Sequence, residues 1–298
     1  MAIAIAFAFL YACGAASGSV LLRVGTQKTP PPTAALLTVL SGMVPILSLA
    51  LLLNLDDIKS LSLEAMAWIV LMGIMAYPMA RLLWVIAISM IGASRTSTMS
   101  GVQPVIACTL GVLLLGERPN LLIIVGTPII VAGLFLVIFP RKSENVGVDA
   151  VQVRRLGYFA ALAGAATFGT RDVISRHVVS EISDPLVTAG LALVVGSLIL
   201  TMALHRQAIR SIRTVPRNHL LICAVAGVLQ GLSLASLFQA LSGAPVTVVS
   251  PIIALTPVIT LILAHTFVKR LEAIDLLLVA GTMLSVLGVI LVILGATA

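Results

Sequence analysis

The sequence predicts an all-α integral membrane protein in which ten transmembrane helices form two inverted five-helix repeats around a central cavity. Three observations predict it. The 298 residues are 60% hydrophobic and only 10% charged, with a mean hydropathy of +1.17, whereas a soluble domain carries about a quarter charged residues. Ten apolar runs are each about twenty residues long, enough to cross a hydrocarbon core of about 30 Å. The chain also aligns with itself at a shift of 153 residues.

The first run, 3–23, contains "YACGAASG", whose small residues offer a signal-type cleavage point. No basic segment precedes it, so it is expected to remain as a helix. Runs two and three cover 33–53 and 66–90, and the third is interrupted by Arg81. The fourth, 95–115, opens on the hydroxyl-rich "RTSTMSGVQP", while the fifth, 119–139, has no ionisable residue. The sixth, 156–178, holds Asp172, the one acid well inside a run. Runs seven and eight cover 186–204 and 219–241, the eighth carrying Gln230, Ser233 and Gln239. The ninth, 246–268, contains Thr256 and Pro257, and the tenth, 274–295, is free of ionisable groups after Asp275.

At the shift of 153, Arg23 meets Arg176, Pro32 meets Pro185, Ala87 meets Ala240 and Pro104 meets Pro257. After a two-residue insertion, Glu117, Gly126 and Gly133 meet Glu272, Gly281 and Gly288. The repeats are thus placed at 1–140 and 156–298, joined by a cytoplasmic linker at 141–155. Five spans is an odd number, so the second half enters the membrane upside down. Such repeats put a solute site at their interface near the midplane.

The loops give an orientation. Lys59, Arg118 and Arg176 fall on the face shared by both termini. The other face holds Arg23, Lys28, Arg95, Arg141, Lys142, Arg154, Arg155, Arg206, Arg210, Arg213, Arg217, Lys269 and Arg270, a bias of thirteen to three. By the positive-inside rule this second face is cytoplasmic and both termini lie outside the plasma (inner) membrane. The net charge of +7 is therefore an orientation signal rather than a nucleic-acid footprint. Cys13, Cys108 and Cys223 lie inside runs without metal-like spacing and read as packing residues.

The two halves resemble paired EamA domains of the drug/metabolite transporter superfamily. The resemblance rests on "AASGSVLLR" leading to Pro32, on "FGTRDVISR" leading to Pro185, on Ala87 and Ala240, and on "QPVIACTLGVLLLGERPN" followed by Gly126 and Gly133. The second copy of that last block, "TPVITLILAHTFVKRLEAID", departs from the pattern: Lys269 and Arg270 replace a Gly-Glu pair, and the acid moves to Glu272. Ala15 stands where the family often has Trp. The resemblance implies that the first four helices of each half surround a central cavity, with the fifth and tenth peripheral. The purely apolar fifth and tenth runs suit a lipid-facing scaffold whose small residues allow close packing.

Arg81 is the strongest functional signal. Tyr77, Arg81, Trp84 and Ile88 follow an i, i+4, i+7, i+11 spacing, so the first three share a helix face. An intramembrane charge costs about 2.5–3.5 kcal/mol on insertion scales, and such residues usually face a bundle interior or a watery cavity. Asp172 is the sole deep partner available to Arg81, and it adjoins Arg171. Two guanidiniums and one carboxylate leave a positive balance, which suits a carboxylate- or phosphate-bearing solute. Asp172 could also carry a proton; beside an arginine, a salt bridge is the simpler role. Arg171 and Arg176 could equally reach the outer headgroups. Gln103 and Gln230 complete the expected wall, and Pro104 and Pro257 are candidate hinges. His265 is read as a helix-end residue, and His177, His205 and His219 as interfacial.

The function expected is a secondary transporter, an exporter of small metabolites such as amino acids, organic acids or related anions. No Walker-type phosphate loop argues for direct ATP hydrolysis, and an intramembrane enzyme would need paired acids or a histidine cluster. A lipid-carrier flippase with a basic headgroup site shares the architecture. No cofactor or metal is required. The partners expected are a small-molecule metabolite and membrane lipid, not nucleic acid; proton coupling, and monomer or homodimer, stay open.

Overall fold

The computed structural model describes residues 1–91, 96, 99, 102–138, 148–267 and 276–297, and every regular element among them is helical. In the first half these are α1 (Ala2–Gly25), α2 (Pro31–Leu53), the short α3 (Leu55–Lys59), α4 (Leu63–Ile74), a π-helical segment (Met75–Arg81), α5 (Leu82–Ile91), α6 (Val102–Leu115) and α7 (Leu121–Ile138). The second half contributes α8 (Val148–Glu181), α9 (Pro185–Thr214), α10 (Arg217–Gly243), α11 (Val246–Ile253), α12 (Thr256–Phe267) and α13 (Leu276–Thr297). Among the described residues, five helices are long and apolar enough to cross a membrane: α1, α2, the continuous Leu63–Ala87, α9 and α10.

Local chemistry sets the helix starts. Pro31 occupies the first turn of α2, where a missing N–H and a fixed φ are tolerated. Asp184 caps α9, its Oδ1 accepting from the Leu186 and Val187 amides at 2.8 and 3.1 Å, with Pro185 next. Ser62 caps α4 by accepting from the Ala65 amide at 3.1 Å.

The helices depart from the expected runs at four places. α8 begins at Val148, inside the stretch assigned to the linker, and α9 continues through "HRQAIRSIRT" to Thr214. Outside the hydrocarbon a helix can continue with basic side chains in water. The third run turns π-helical around Pro78. The ninth is two helices, broken at Ala254 and Leu255. Pro257 has no N–H for the Ile253 carbonyl four residues back, and the Thr256 hydroxyl takes that carbonyl at 2.6 Å. Arg95, Arg141, Lys142, Lys269, Arg270, Glu272 and Asp275 lie outside the described residues, as do the side chains of Ile88, Arg154, Arg213 and His265.

Lipid provides no hydrophobic drive for one helix to bind another, so close packing of small residues does that work. Gly14, Gly18 and Gly25 bring α1 against Ser233, Gln230 and Cys223 of α10. Gly42 of α2 meets Gly227 and Gly231 of α10 backbone to backbone; a methyl group at Gly231 would come within 2.5 Å of the Gly42 carbonyl oxygen. α7 and α13, the expected fifth and tenth helices, pack on each other through Gly126, Gly133, Ser285 and Gly288. Contacts between halves are reciprocal. α1 packs on α10, and its repeat counterpart α8 packs on the π segment and α5; α2 packs on α10, and its counterpart α9 packs on α4. All three cysteines carry free thiols.

Candidate substrate cavity

The π segment "MAYPMAR" positions two of the polar side chains. A proline in mid-helix removes a donor, and its ring presses on the preceding turn. The wider turn around Pro78 accommodates it; π segments of this kind are frequent at functional sites. Tyr77 and Arg81 project from it, and Trp84 follows one turn later on α5, all three lining one cavity of about 140 Å³.

The opposite walls come from α1, α2, α6, α8, α10 and the α11–α12 break. Gln103, Arg171, Gln230, Pro104 and Pro257 face the same space. Of the candidate site and hinge residues, Asp172 alone does not line it. Asp172 stands behind Arg171, fully buried.

The two guanidiniums have different surroundings. Arg81 Nη2 donates to the Thr38 hydroxyl at 3.0 Å and to Gln230 Oε1. Among the described residues no carboxylate pairs with it. Arg171, 4% exposed, donates from Nε to Asp172 Oδ1 at 3.0 Å and from Nη2 to the same oxygen. Asp172 Oδ2 accepts from Gln103 Nε2 at 2.7 Å. Asp172, within reach of either arginine by sequence, pairs with Arg171 and not with Arg81. Neighbouring residues on a helix diverge in direction, but the long arginine side chain reaches its neighbour's carboxylate. The Arg171 guanidinium lies 5.2 Å from the Phe168 ring centre, close enough for cation–π attraction. Trp84 meets Phe168 edge-on with centroids 6.2 Å apart.

Arg176 is engaged by the backbone of another helix. Its Nη1 donates to the Leu241 and Ser242 carbonyls, the latter at 3.0 Å, neutralising the end of α10, where unpaired carbonyls favour a cation. Glu117 does the converse at a helix start. Gly116, at φ +66, turns the chain so that Glu117 accepts from the Val246 amide at 2.7 Å and the Thr247 amide at 2.9 Å. One carboxylate from the first half thereby caps α11 of the second.

Sequence reasoning missed Tyr11, Thr38 and Phe168 on the cavity wall. The repeat held a signal for Phe168. At the shift of 153, the pairs Ala15/Phe168, Tyr77/Gln230, Arg81/Leu234, Gln103/Thr256 and Pro104/Pro257 all line the cavity. Phe168 falls opposite Ala15, the position where the family often has Trp, so an aromatic at that register was the available signal. Tyr11 and Thr38 have no such partner and depend on how α1 and α2 are rotated.

A helical membrane bundle of two repeats around a polar cavity is an architecture on which membrane transporters are built. The chain belongs to the EamA-like transporter family, which matches residues 2–139 and again 155–294. It is thus a multi-pass membrane protein of a transporter family. Over 101 residues, 34% of this chain, it is 32% identical to phosphoenolpyruvate/phosphate translocator 2, chloroplastic, of Arabidopsis thaliana, and the match covers 24% of that protein. A solved crystal structure is similar over 97% of both chains, with a TM-score of 0.73 and 18% identity. Likeness at that identity speaks for the fold alone.

Proposed function

We propose that the protein is a secondary transporter of a small anionic metabolite, working by alternating access with net flow outward. The observation that carries this is the Arg81 guanidinium, which lines the cavity with only neutral partners described, Thr38 and Gln230. A positive charge so placed is held ready for a carboxylate or phosphate, which a guanidinium binds through paired N–H groups. Similarity to a phosphoenolpyruvate/phosphate translocator supports an anionic cargo. The cavity, about 140 Å³, is near the size known to admit a benzene ring, so the solute is small.

Ten spans in two inverted halves complete the reading, with repeats at 1–140 and 156–298, both termini outside and the chain in the plasma (inner) membrane. Reciprocal packing of α1 on α10 and of α8 on the third-span helices supports a twofold relation between halves. Pro104 and Pro257 would act as hinges, since both line the cavity and Pro257 adjoins the α11–α12 break.

The test is uptake into proteoliposomes of labelled amino acids, dicarboxylates, sugar phosphates and organic cations, with and without a pH gradient. Preference for carboxylates or phosphates is expected. Preference for organic cations would overturn the reading, lipid copurification with a transfer activity would favour a flippase, and a gradient-driven gain would implicate proton coupling. Vesicles of known sidedness test the outward direction, and a C-terminal tag found in the cytoplasm would reverse the orientation.

A further inference from the structure

The side chains around the cavity contain more information than its sign. Among the described residues two guanidiniums line it, Arg81 and Arg171. One carboxylate, Asp172, is bound to Arg171. Both Asp172 oxygens are engaged, Oδ1 by Arg171 and Oδ2 by Gln103, and its side chain is fully buried. It therefore touches no solute and acts through its charge alone. The other polar groups that the described wall presents are neutral: two phenols, two amides, the Trp84 indole and the hydroxyls of Ser19, Thr38 and Thr256.

We propose that Asp172 sets the number of charges the transported solute carries: by cancelling Arg171 it leaves Arg81 as the single uncompensated charge on the cavity wall among the described residues, so the cavity selects monoanions. This rests on the anionic reading above and refines it. With a monoanion bound, the closed site is electrically neutral. A dianion would leave a net negative charge out of water, and a neutral solute would leave Arg81 unanswered. Both outcomes are penalised where the dielectric is low. Selectivity arises here as a difference between affinities, with the penalty on the wrong charge doing as much as attraction to the right one. Gln103 and Phe168 are positioning residues. Gln103 holds the second Asp172 oxygen, and Phe168 supports the Arg171 guanidinium from its face.

The experiment uses three solutes of nearly equal size and graded charge: succinate, its monoamide succinamate and its diamide succinamide. Binding to the purified full-length protein is measured by calorimetry. Uptake into proteoliposomes is measured with the membrane potential clamped at zero. The wild type is expected to prefer succinamate over both others by about tenfold or more, a cautious figure for one unit charge a few ångströms away. Asp172→Asn should move the preference to succinate, and Gln230→Glu, which sets a carboxylate beside Arg81, should move it to succinamide. The double variant Arg171→Gln with Asp172→Asn restores one net positive charge and should again prefer succinamate.

Gln230→Glu alters size little, so it keeps the test open if Asp172→Asn fails to fold. Variants that fold but leave the order of the three solutes unchanged overturn the charge-counting inference while the anionic reading stands. A wild type that binds none of the three, or prefers succinate, also overturns the inference. A wild type preferring succinamide or organic cations overturns the anionic reading itself.

Discussion

Replacing Arg81 with alanine should remove anion recognition while leaving the fold in place. In the resting cavity the guanidinium donates to Thr38 and Gln230. A bound carboxylate would take over one or two of these donors. Hydrogen bonds to charged groups contribute about 1.5–3 kcal/mol each. At about 1.4 kcal/mol per decade, loss of one such bond weakens anion binding about tenfold to a little over a hundredfold. Stability falls by at most a few kcal/mol, because opposing effects partly cancel. The variant loses two hydrogen bonds, at about 1.5–3 kcal/mol each on the same scale. It also relieves an intramembrane charge costing about 2.5–3.5 kcal/mol. Thr38 stays satisfied, since its hydroxyl donates to the Ala35 carbonyl at 2.9 Å. The assay pairs anion uptake in proteoliposomes with thermal melting in detergent. A variant that melts like the wild type and transports anions equally well would refute the reasoning and remove Arg81 from the site.

Three further outcomes test the architecture around the cavity. Gly231→Ala puts a methyl group 2.5 Å from the Gly42 carbonyl oxygen and 2.8 Å from its Cα. Backbone cannot swing aside as a side chain can, so melting should fall by the equivalent of about 1–3 kcal/mol; an unchanged melting curve would contradict the packing of α2 on α10. Glu117→Gln keeps the shape but has a single acceptor oxygen for the Val246 and Thr247 amides, so a loss of about 1–2 kcal/mol is expected, with faster amide exchange confined to the start of α11. Thr256→Val strands the Ile253 carbonyl that Pro257 leaves open, costing about 1–3 kcal/mol. Adding Pro257→Ala restores an N–H for that carbonyl and should recover stability; failure of the rescue would mean the hydroxyl is not serving that carbonyl.

The apolar runs were legible because lipid imposes one requirement on every spanning segment, internal hydrogen bonding within an oily sequence. Periodic features such as Pro104/Pro257 and Gly133/Gly288 were legible for a related reason, since a repeat keeps the same backbone geometry twice. Arg81 stood out on its cost alone. The helix breaks were less readable. Pro78 and Pro257 sit in similar apolar surroundings, yet one is absorbed by a π turn and the other adjoins a break between two helices. A proline specifies a missing donor, not how neighbouring helices resolve it.

The sequence by itself determined that this chain lives in a membrane, that its halves repeat, and that cations and aromatics converge on few helices. Those properties depend on composition and spacing along one helix. Only the tertiary structure decided which charge is cancelled. Arg81 meets Gln230, 149 positions away, and Asp172 turns to its own neighbour Arg171 and to Gln103. Ion pairing depends on distance and direction between different helices, and those are set by where glycines let α1, α2 and α10 approach. A change of rotation in any one of them would leave every hydropathy run intact and give the cavity a different charge.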